Sequence, residues 1–572
     1  MANFTAGACA LGRPHLTPIA SSASRQRVEA PVTAKAYAIC AFTAFGGVLF
    51  GYDSGYISGV LGMDSFKRNY GRPSTIDFSG YAYQTWEKSL TVAILSIGTF
   101  IGALVSGWSA DLIGRKSTLI GPGCGVFTVG VIVQMAATHI SGFCSGRFIA
   151  GLGVGCLSAV SIIYMSEVAP RKVRGAIVSL YQFAITIGLM LASCVGYATR
   201  NLEGSAAYRI PIGIQFLWAA ILSIGLTLLP ESPRYYVKKG RLDKAAKALA
   251  RVRGQPVSST CIEDELAEIV ASHEFERQAG KVSWLGIFSG GISRPNSNLR
   301  KIFIGTTLQM MQQWTGINFI FYYNVTFFQS IHVNSAFLVS MITTIVNVGS
   351  TPISFWAIEK FGRRSLLVWG AIAMCVCELA IAIVGVSAPN SLAADYCLVT
   401  FVCIYVACFA STWGPTAWVV IGEIFSLPIR SKGVALSTAS NWFWNAIIGI
   451  IVPFLVDYDK ADLGVKVFFI WGSTCALCAI FAWLFVPETR GLTLEQVEQM
   501  MDEVPAYRSK TYTPMDTFAE SYGGGGGNGA SVIPTSLTTT TKTDRPSTAF
   551  SSIASAHAHT PTSAASFIEM DR

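Results

Sequence analysis

Residues 107–117 read GWSADLIGRKS and residues 357–365 read AIEKFGRRS. Each sets an acidic residue, Asp111 or Glu359, ahead of a Gly-Arg pair, Gly114-Arg115 or Gly362-Arg363. Two more motifs repeat downstream. EVAPRKVRG places Glu167 seven residues before Arg174, as EIFSLPIR places Glu423 seven before Arg430; PESPR begins at Pro230 and PETRG at Pro487. Three motifs in one order, at nearly constant offsets, make the chain two related halves.

What lies between the motifs is apolar. The 572 residues are 51% hydrophobic and 13% charged, with a mean hydropathy of +0.47. A soluble domain carries roughly 25% charged residues, so this chain cannot coat a water-facing surface. Runs of about 20 apolar residues, long enough to cross a bilayer core, recur twelve times: 35–60, 89–110, 118–137, 146–166, 175–198, 210–229, 302–328, 336–357, 365–386, 395–422, 432–456 and 466–486. Backbone groups in lipid must be bonded internally, so these runs are helices. The fold class is an all-α membrane protein of two six-helix bundles.

The expected organisation follows. Residues 1–33 show no secretory signal and read as a disordered cytoplasmic N-terminus. Residues 34–230 form one bundle, 231–300 a cytoplasmic helical linker, 301–487 the second bundle, and 488–572 a tail disordered after about 505, where glycines, serines and threonines dominate. SPRYYVKKGRLDKAAKALARVRG reads as one basic amphipathic linker helix, and TCIE, with Thr260 and Glu263, as the capping box of a second. Basic residues concentrate in the loops that share the linker's side, at Arg115, Arg171, Arg363 and Arg430 among others, which puts both termini in the cytoplasm. This bias accounts for the net charge of +9 without a nucleic-acid partner. The fourteen cysteines lie mostly within spans, where they serve as small hydrophobes.

The loop motifs, together with GRFIAGLGVG, QQWTGINFIFYY, PESPR and PETRG, resemble the sugar porter family of the major facilitator superfamily over about residues 35–500. GYDSGYISGVLGM, TWGPTAWVV and NWFWN are closest to fungal hexose transporters. The resemblance implies the major facilitator fold and alternating access, with the two bundles rocking around a central sugar site in the plasma membrane. The family's sugar-binding positions match Gln182, Gln312, Gln313, Asn318, Asn347, Trp418 and Asn441.

The residues themselves point the same way. Polar side chains within the spans are mostly amides, which both donate and accept, as a sugar hydroxyl does. Gln309, Gln312 and Gln313 share one helix face. Phe319, Tyr322, Tyr323 and Trp418 offer rings to the C–H side of a pyranose. Asn445 and Gln309 fit equally well as amides that only tie helices together. Pro415 in WGPTAW removes a helical hydrogen bond, so a bend is expected in the tenth span. Asp111, Arg115, Glu167, Arg174, Glu359, Arg363, Glu423 and Arg430 are expected to form a cytoplasmic gate of opposite charges between the bundles.

GVLFGYDSGYISGV, residues 47–60, buries a single carboxylate, Asp53. Such a charge needs a partner, and Arg147, well inside the fourth span, is the candidate. The pair reads either as a fixed ion pair or as a proton site. Proton symport of glucose or a related hexose is the leading function; a facilitator and a non-transporting sugar sensor are the alternatives. No nucleophile–base pair, metal cluster or phosphate loop occurs in the spans, so neither an enzyme nor a cofactor is expected. The expected partners are a monosaccharide, a proton if transport is coupled, and the bilayer around a monomer.

Overall fold

The computed structural model describes residues 34–512 apart from 75–79, 170–173, 279–282, 293, 295–296, 331–334, 389–390, 427–428, 458–459 and 493. Among these residues, nine helices are long and apolar enough to cross a membrane, and the pair Ala336–Ser350 and Ile353–Phe361, bent by 45°, makes a tenth. Ala34–Gly62 and the broken pair Asn298–Trp314 and Ile317–Ser330 bring the described spans to twelve. In chain order the first six are Ala34–Gly62, Thr85–Ile113, Arg115–Ala136, Ile140–Val168, Arg174–Thr199 and Ala206–Leu228. The seventh and eighth are the two pairs above; Arg363–Ser387, Leu392–Glu423, Arg430–Val456 and Val467–Phe485 follow. Large apolar side chains such as Trp108 and Trp369 are 70% exposed. They are the side chains that lipid would cover.

Within each half the helices approach closely because small residues line their seams. A Cβ at Gly51 would sit 2.1 Å from the Ile185 carbonyl oxygen, so the glycines of GYDSGYISGV let the first span lie against the fifth. Gly51→Val is therefore expected to destabilise the protein by about 1–3 kcal/mol through overpacking. A fall in the thermal unfolding midpoint of the purified protein checks this.

The stretch expected to be one basic helix is two, and the expected second linker helix follows it. The linker forms Pro233–Lys238 and Leu242–Arg253, then Thr260–Gln278. The break falls at Gly240, whose φ of +70° ends the first segment. The tenth span is interrupted at Thr412, φ −127° and ψ −82°, just before Pro415. Pro415 has no N–H for the Ser411 carbonyl, and Ser411 is the last residue of the preceding helical stretch.

Order extends beyond the expected limit near 505. Ala506–Thr511 forms a short 3₁₀ helix in which buried Ser509 accepts a 2.7 Å bond from the Glu488 N–H. Residues 1–33 and 513–572 lie outside the described residues.

The two halves meet along the first and seventh spans, the second and eleventh, and the fifth and eighth, with the fifth also touching the tenth. On the face opposite the linker, Lys88 Nζ pairs with Asp457 Oδ1 at 2.7 Å, and Ser89 donates to the Ile450 carbonyl at 3.0 Å. Nearby, Gln329 Nε2 donates to the Gly62 carbonyl at 3.2 Å. These bonds tie the two halves together on that face.

Candidate functional site

Between the halves lies a central cavity lined by residues of both. Of the expected sugar residues, Gln182, Gln312, Gln313, Asn318, Trp418 and Asn441 line it; buried Asn347 does not. Asn445, Ser54, Tyr322 and Phe50 join the lining. No charged side chain does. Two of the expected rings are engaged elsewhere. Phe319 packs against Phe327 and Phe468, and the Tyr323 hydroxyl donates to the Gly449 carbonyl at 2.7 Å.

The amides form a network that decides which atoms remain for a ligand. Asn441 Nδ2 donates to Gln309 Oε1 at 2.7 Å and to Gln312 Oε1 at 2.9 Å. Gln312 Nε2 donates to the carbonyls of Trp413 and Gly414, at 3.1 and 3.0 Å, beside the interruption of the tenth span. Gln309 thus ties helices together and Gln312 is held in place. Gln313 Oε1 accepts from Asn318 Nδ2 and, at 3.2 Å, from Asn445 Nδ2. Asn445 Oδ1 accepts from Ser96 at 2.6 Å and Tyr322 at 3.1 Å, linking the halves. Among the lining side chains, Gln313 Nε2, Asn318 Oδ1, Asn441 Oδ1 and the Gln182 amide make no hydrogen bond to the described residues. They offer donors and acceptors without charge.

Asp53 is fully buried, next to the cavity-lining Ser54. The expected contact with Arg147 is not made: neither carboxylate oxygen has a hydrogen-bond partner. Arg147 Nη1 instead donates to the Tyr56 hydroxyl at 2.7 Å, and that hydroxyl donates to Gln134 Oε1 at 2.6 Å. Tyr56 lies one turn beyond Asp53 on the same helix and intercepts the guanidinium. The Arg147 Nε and both polar atoms of the Gln215 side chain are also left unpartnered. This pocket of buried, incompletely bonded polar groups sits behind the cavity wall.

Among the described residues of the linker face, Arg115 and Arg363 each gather a cluster of opposite charges within their own half. Arg115 pairs with Glu167 at 3.0 Å and Asp111 at 3.1 Å; Lys238 also reaches Asp111, at 2.7 Å. Arg363 pairs with Glu423 and Glu359, both at 3.0 Å. Each arginine is more than 90% buried beneath its own helix ends, so the carboxylates of its own half reach it first. Arg430 donates to the Gly422 carbonyl at 3.0 Å, and the Arg174 side chain lies outside the described residues. Neutralising Arg115 and Arg363 singly and together should then give effects that add to within about 0.5 kcal/mol. Cysteine accessibility of the two faces in a double-mutant cycle checks this.

The repeated PE dipeptide has a structural role that sequence reading left unassigned. Glu231 accepts from the N–H groups of Arg115 and Lys116 at 3.0–3.2 Å, and Glu488 accepts from those of Arg363 and Arg364 at 2.8 and 3.2 Å. Each carboxylate caps the open start of the helix that carries its half's arginine. Burial raises the Glu231 carboxyl above its ordinary value, while the N–H groups of Ser232, Lys116 and Arg115 pull it down. Sequence reading also passed over Glu378, a fully buried carboxyl in the ninth span. It was legible as a lone acid in an apolar run.

The family model for sugar (and other) transporters matches residues 39–501. A major facilitator-type transporter of Aspergillus rugulosus is 43% identical, over 82% of this chain and 88% of its own length. A probable glucose transporter of Neurospora crassa is 42% identical, over 85% and 83%. The high glucose sensor of Saccharomyces cerevisiae is 40% identical over 81% of this chain, which spans 60% of the sensor's length. Among solved structures, the proton:xylose symporter XylE bound to 6-bromo-6-deoxy-D-glucose superposes with a TM-score of 0.69 at 28% identity, covering 82% of this chain and all of that one. Twelve spans in two repeated halves around an uncharged, amide-lined cavity carry the same conclusion: the chain belongs to the sugar transporter family of the major facilitator superfamily, a family of multi-pass membrane transporters and not enzymes.

Proposed function

We propose that this protein carries glucose or a closely related hexose into the cell across the plasma membrane, coupled to a proton. The observation that carries the substrate reading is the cavity lining: amides, a hydroxyl and rings, with no charged side chain. A sugar presents hydroxyls on its edges and C–H groups on its faces, and the lining matches both. An amino acid or an ionised drug would leave a charge unpaired there. The basic loops on the linker face support the reading that this face and both termini are cytoplasmic.

Coupling rests on Asp53. Ionised, its carboxylate would attract Arg147; protonated, it lets Arg147 turn away. The arrangement here, with Arg147 on Tyr56 and Asp53 unbonded, supports the second half of that cycle. Labelled glucose uptake in cells lacking their own hexose carriers, with and without a protonophore, tests both parts. Wild-type protein at the cell surface without glucose uptake would overturn the substrate reading. Uptake indifferent to the protonophore would make the protein a facilitator.

A sensor is the second reading, favoured by the 40% identity to the yeast high glucose sensor. Glucose binding without uptake or counterflow would establish it.

A further inference from the structure

The seventh span breaks at Thr315-Gly316, directly between Gln312 and Gln313 on one side and Asn318 on the other. Gly316 has φ +86°. A Cβ there would meet the Trp471 ring at 2.8 Å and Glu378 Oε1 at 3.1 Å. Glu378, from the ninth span, therefore sits behind the break, on the side away from the sugar cavity. It is fully buried, and neither of its oxygens has a hydrogen-bond partner.

The carbonyls freed at the break are held by side chains of the tenth and twelfth spans. Tyr405 Oη donates to the Thr315 carbonyl at 2.7 Å, Cys475 Sγ approaches the same oxygen at 3.6 Å, and Thr474 Oγ1 donates to the Trp314 carbonyl at 2.6 Å. Tyr405 and Cys475 also flank the Glu378 carboxyl. The other titratable groups beside it are Cys478, from the twelfth span, and its helix neighbours Cys375 and Cys377. Among the described residues, no lysine or arginine is paired with it.

We propose that Glu378 is a positioning residue for transport: it is the alternative acceptor for Tyr405 and Cys475, and so lets the break in the seventh span exchange between two bonded states. In the state seen here the two donors clamp the Thr315 carbonyl. When the half-helix Ile317–Ser330 moves, that carbonyl leaves them, and two buried donors without an acceptor would oppose the motion. Glu378, charged or neutral, supplies acceptor oxygens at that moment. The two donors are then bonded in both arrangements and only their acceptor is exchanged, which keeps the two states of the hinge close in energy. The hinge carries Asn318 toward or away from Gln312 and Gln313, so it governs the cavity without Glu378 touching sugar.

The test uses the full-length protein and two readouts. Amide hydrogen exchange over residues 314–318 needs no substrate; glucose uptake rests on the reading above, and failure of wild type to transport would count against that reading alone. Glu378→Leu removes the acceptor and should slow exchange at the break by about tenfold. It should also lower the maximal uptake rate by about tenfold while KM stays within about threefold. Glu378→Gln keeps a carbonyl oxygen and should restore most of both. Tyr405→Phe removes the clamp and should speed exchange, which decides the matter even if Glu378→Leu does not reach the membrane. Wild-type exchange in Glu378→Leu, damage by Gln equal to that by Leu, or unchanged exchange in Tyr405→Phe would each overturn the proposal.

Discussion

Asn318→Ala is expected to cripple glucose uptake, lowering kcat/KM by roughly 5- to 150-fold, the equivalent of about 1–3 kcal/mol for one lost buried hydrogen bond. Asn318 stands at the start of the second half of the seventh span, immediately after the Gly316 turn. Its Nδ2 donates to Gln313 Oε1, which holds the amide of the cavity-lining Gln313 in place and leaves Nε2 without a bond. Its own Oδ1 is unspent. Alanine therefore deletes one ligand atom and releases a second. Because Asn445 still donates to Gln313 Oε1 at 3.2 Å, the network does not collapse, and the protein should fold and reach the membrane. Normal affinity and rate in correctly localised Asn318→Ala would remove Asn318 from the sugar site. By contrast, Asn347→Ala should change KM little, since Asn347 lies off the cavity.

The contrast between Asn318 and Asn347 shows where sequence reasoning stops. Apolar runs and repeated motifs fix twelve helices and two halves, because span length and backbone bonding in lipid leave few alternatives. Which face of a helix looks inward is a tertiary matter. Gln309, Gln312 and Gln313 share a face, yet Gln309 lies off the cavity, Gln312 spends its amide on Asn441, Trp413 and Gly414, and Gln313, which lines the cavity, makes no bond through Nε2. Likewise, opposite charges on one face of the membrane suggest a gate across the halves. Among the described residues, Arg115 and Arg363 instead find their carboxylates 3.0 Å away within their own halves. The caps made by Glu231 and Glu488 were visible as a repeated PE dipeptide, but an acid at a loop end carries no address. The helix start that it caps is more than a hundred residues away along the chain.

Asp53→Asn is expected to abolish sugar-driven proton uptake and accumulation against a gradient, while some downhill exchange of glucose survives. The amide is nearly isosteric with the carboxyl, so the first span should still pack against the fifth through Gly51. What changes is the capacity to be charged. In wild type the ionised carboxylate is a competitor for Arg147 against the Tyr56 hydroxyl that now holds it at 2.7 Å. Asparagine imitates only the neutral form, so Arg147 stays on Tyr56 and the pocket keeps one arrangement. A fixed ion pair predicts something else. There, loss of the charge strands a buried guanidinium and costs about 3–5 kcal/mol of stability. The two accounts separate on folding as well as on coupling. Coupling requires Asp53→Asn to keep near-normal stability and counterflow, since Arg147 already has its partner in Tyr56. If the variant unfolds, or if wild-type uptake ignores pH and protonophores in energised cells, Asp53 is structural and the transport is facilitated diffusion. Tyr56→Phe sharpens the choice, because it removes the rival acceptor and should bias Arg147 toward Asp53, slowing release of the pair and with it the coupled cycle. Uptake and coupling unchanged in Tyr56→Phe would mean that Arg147 does not move between the two.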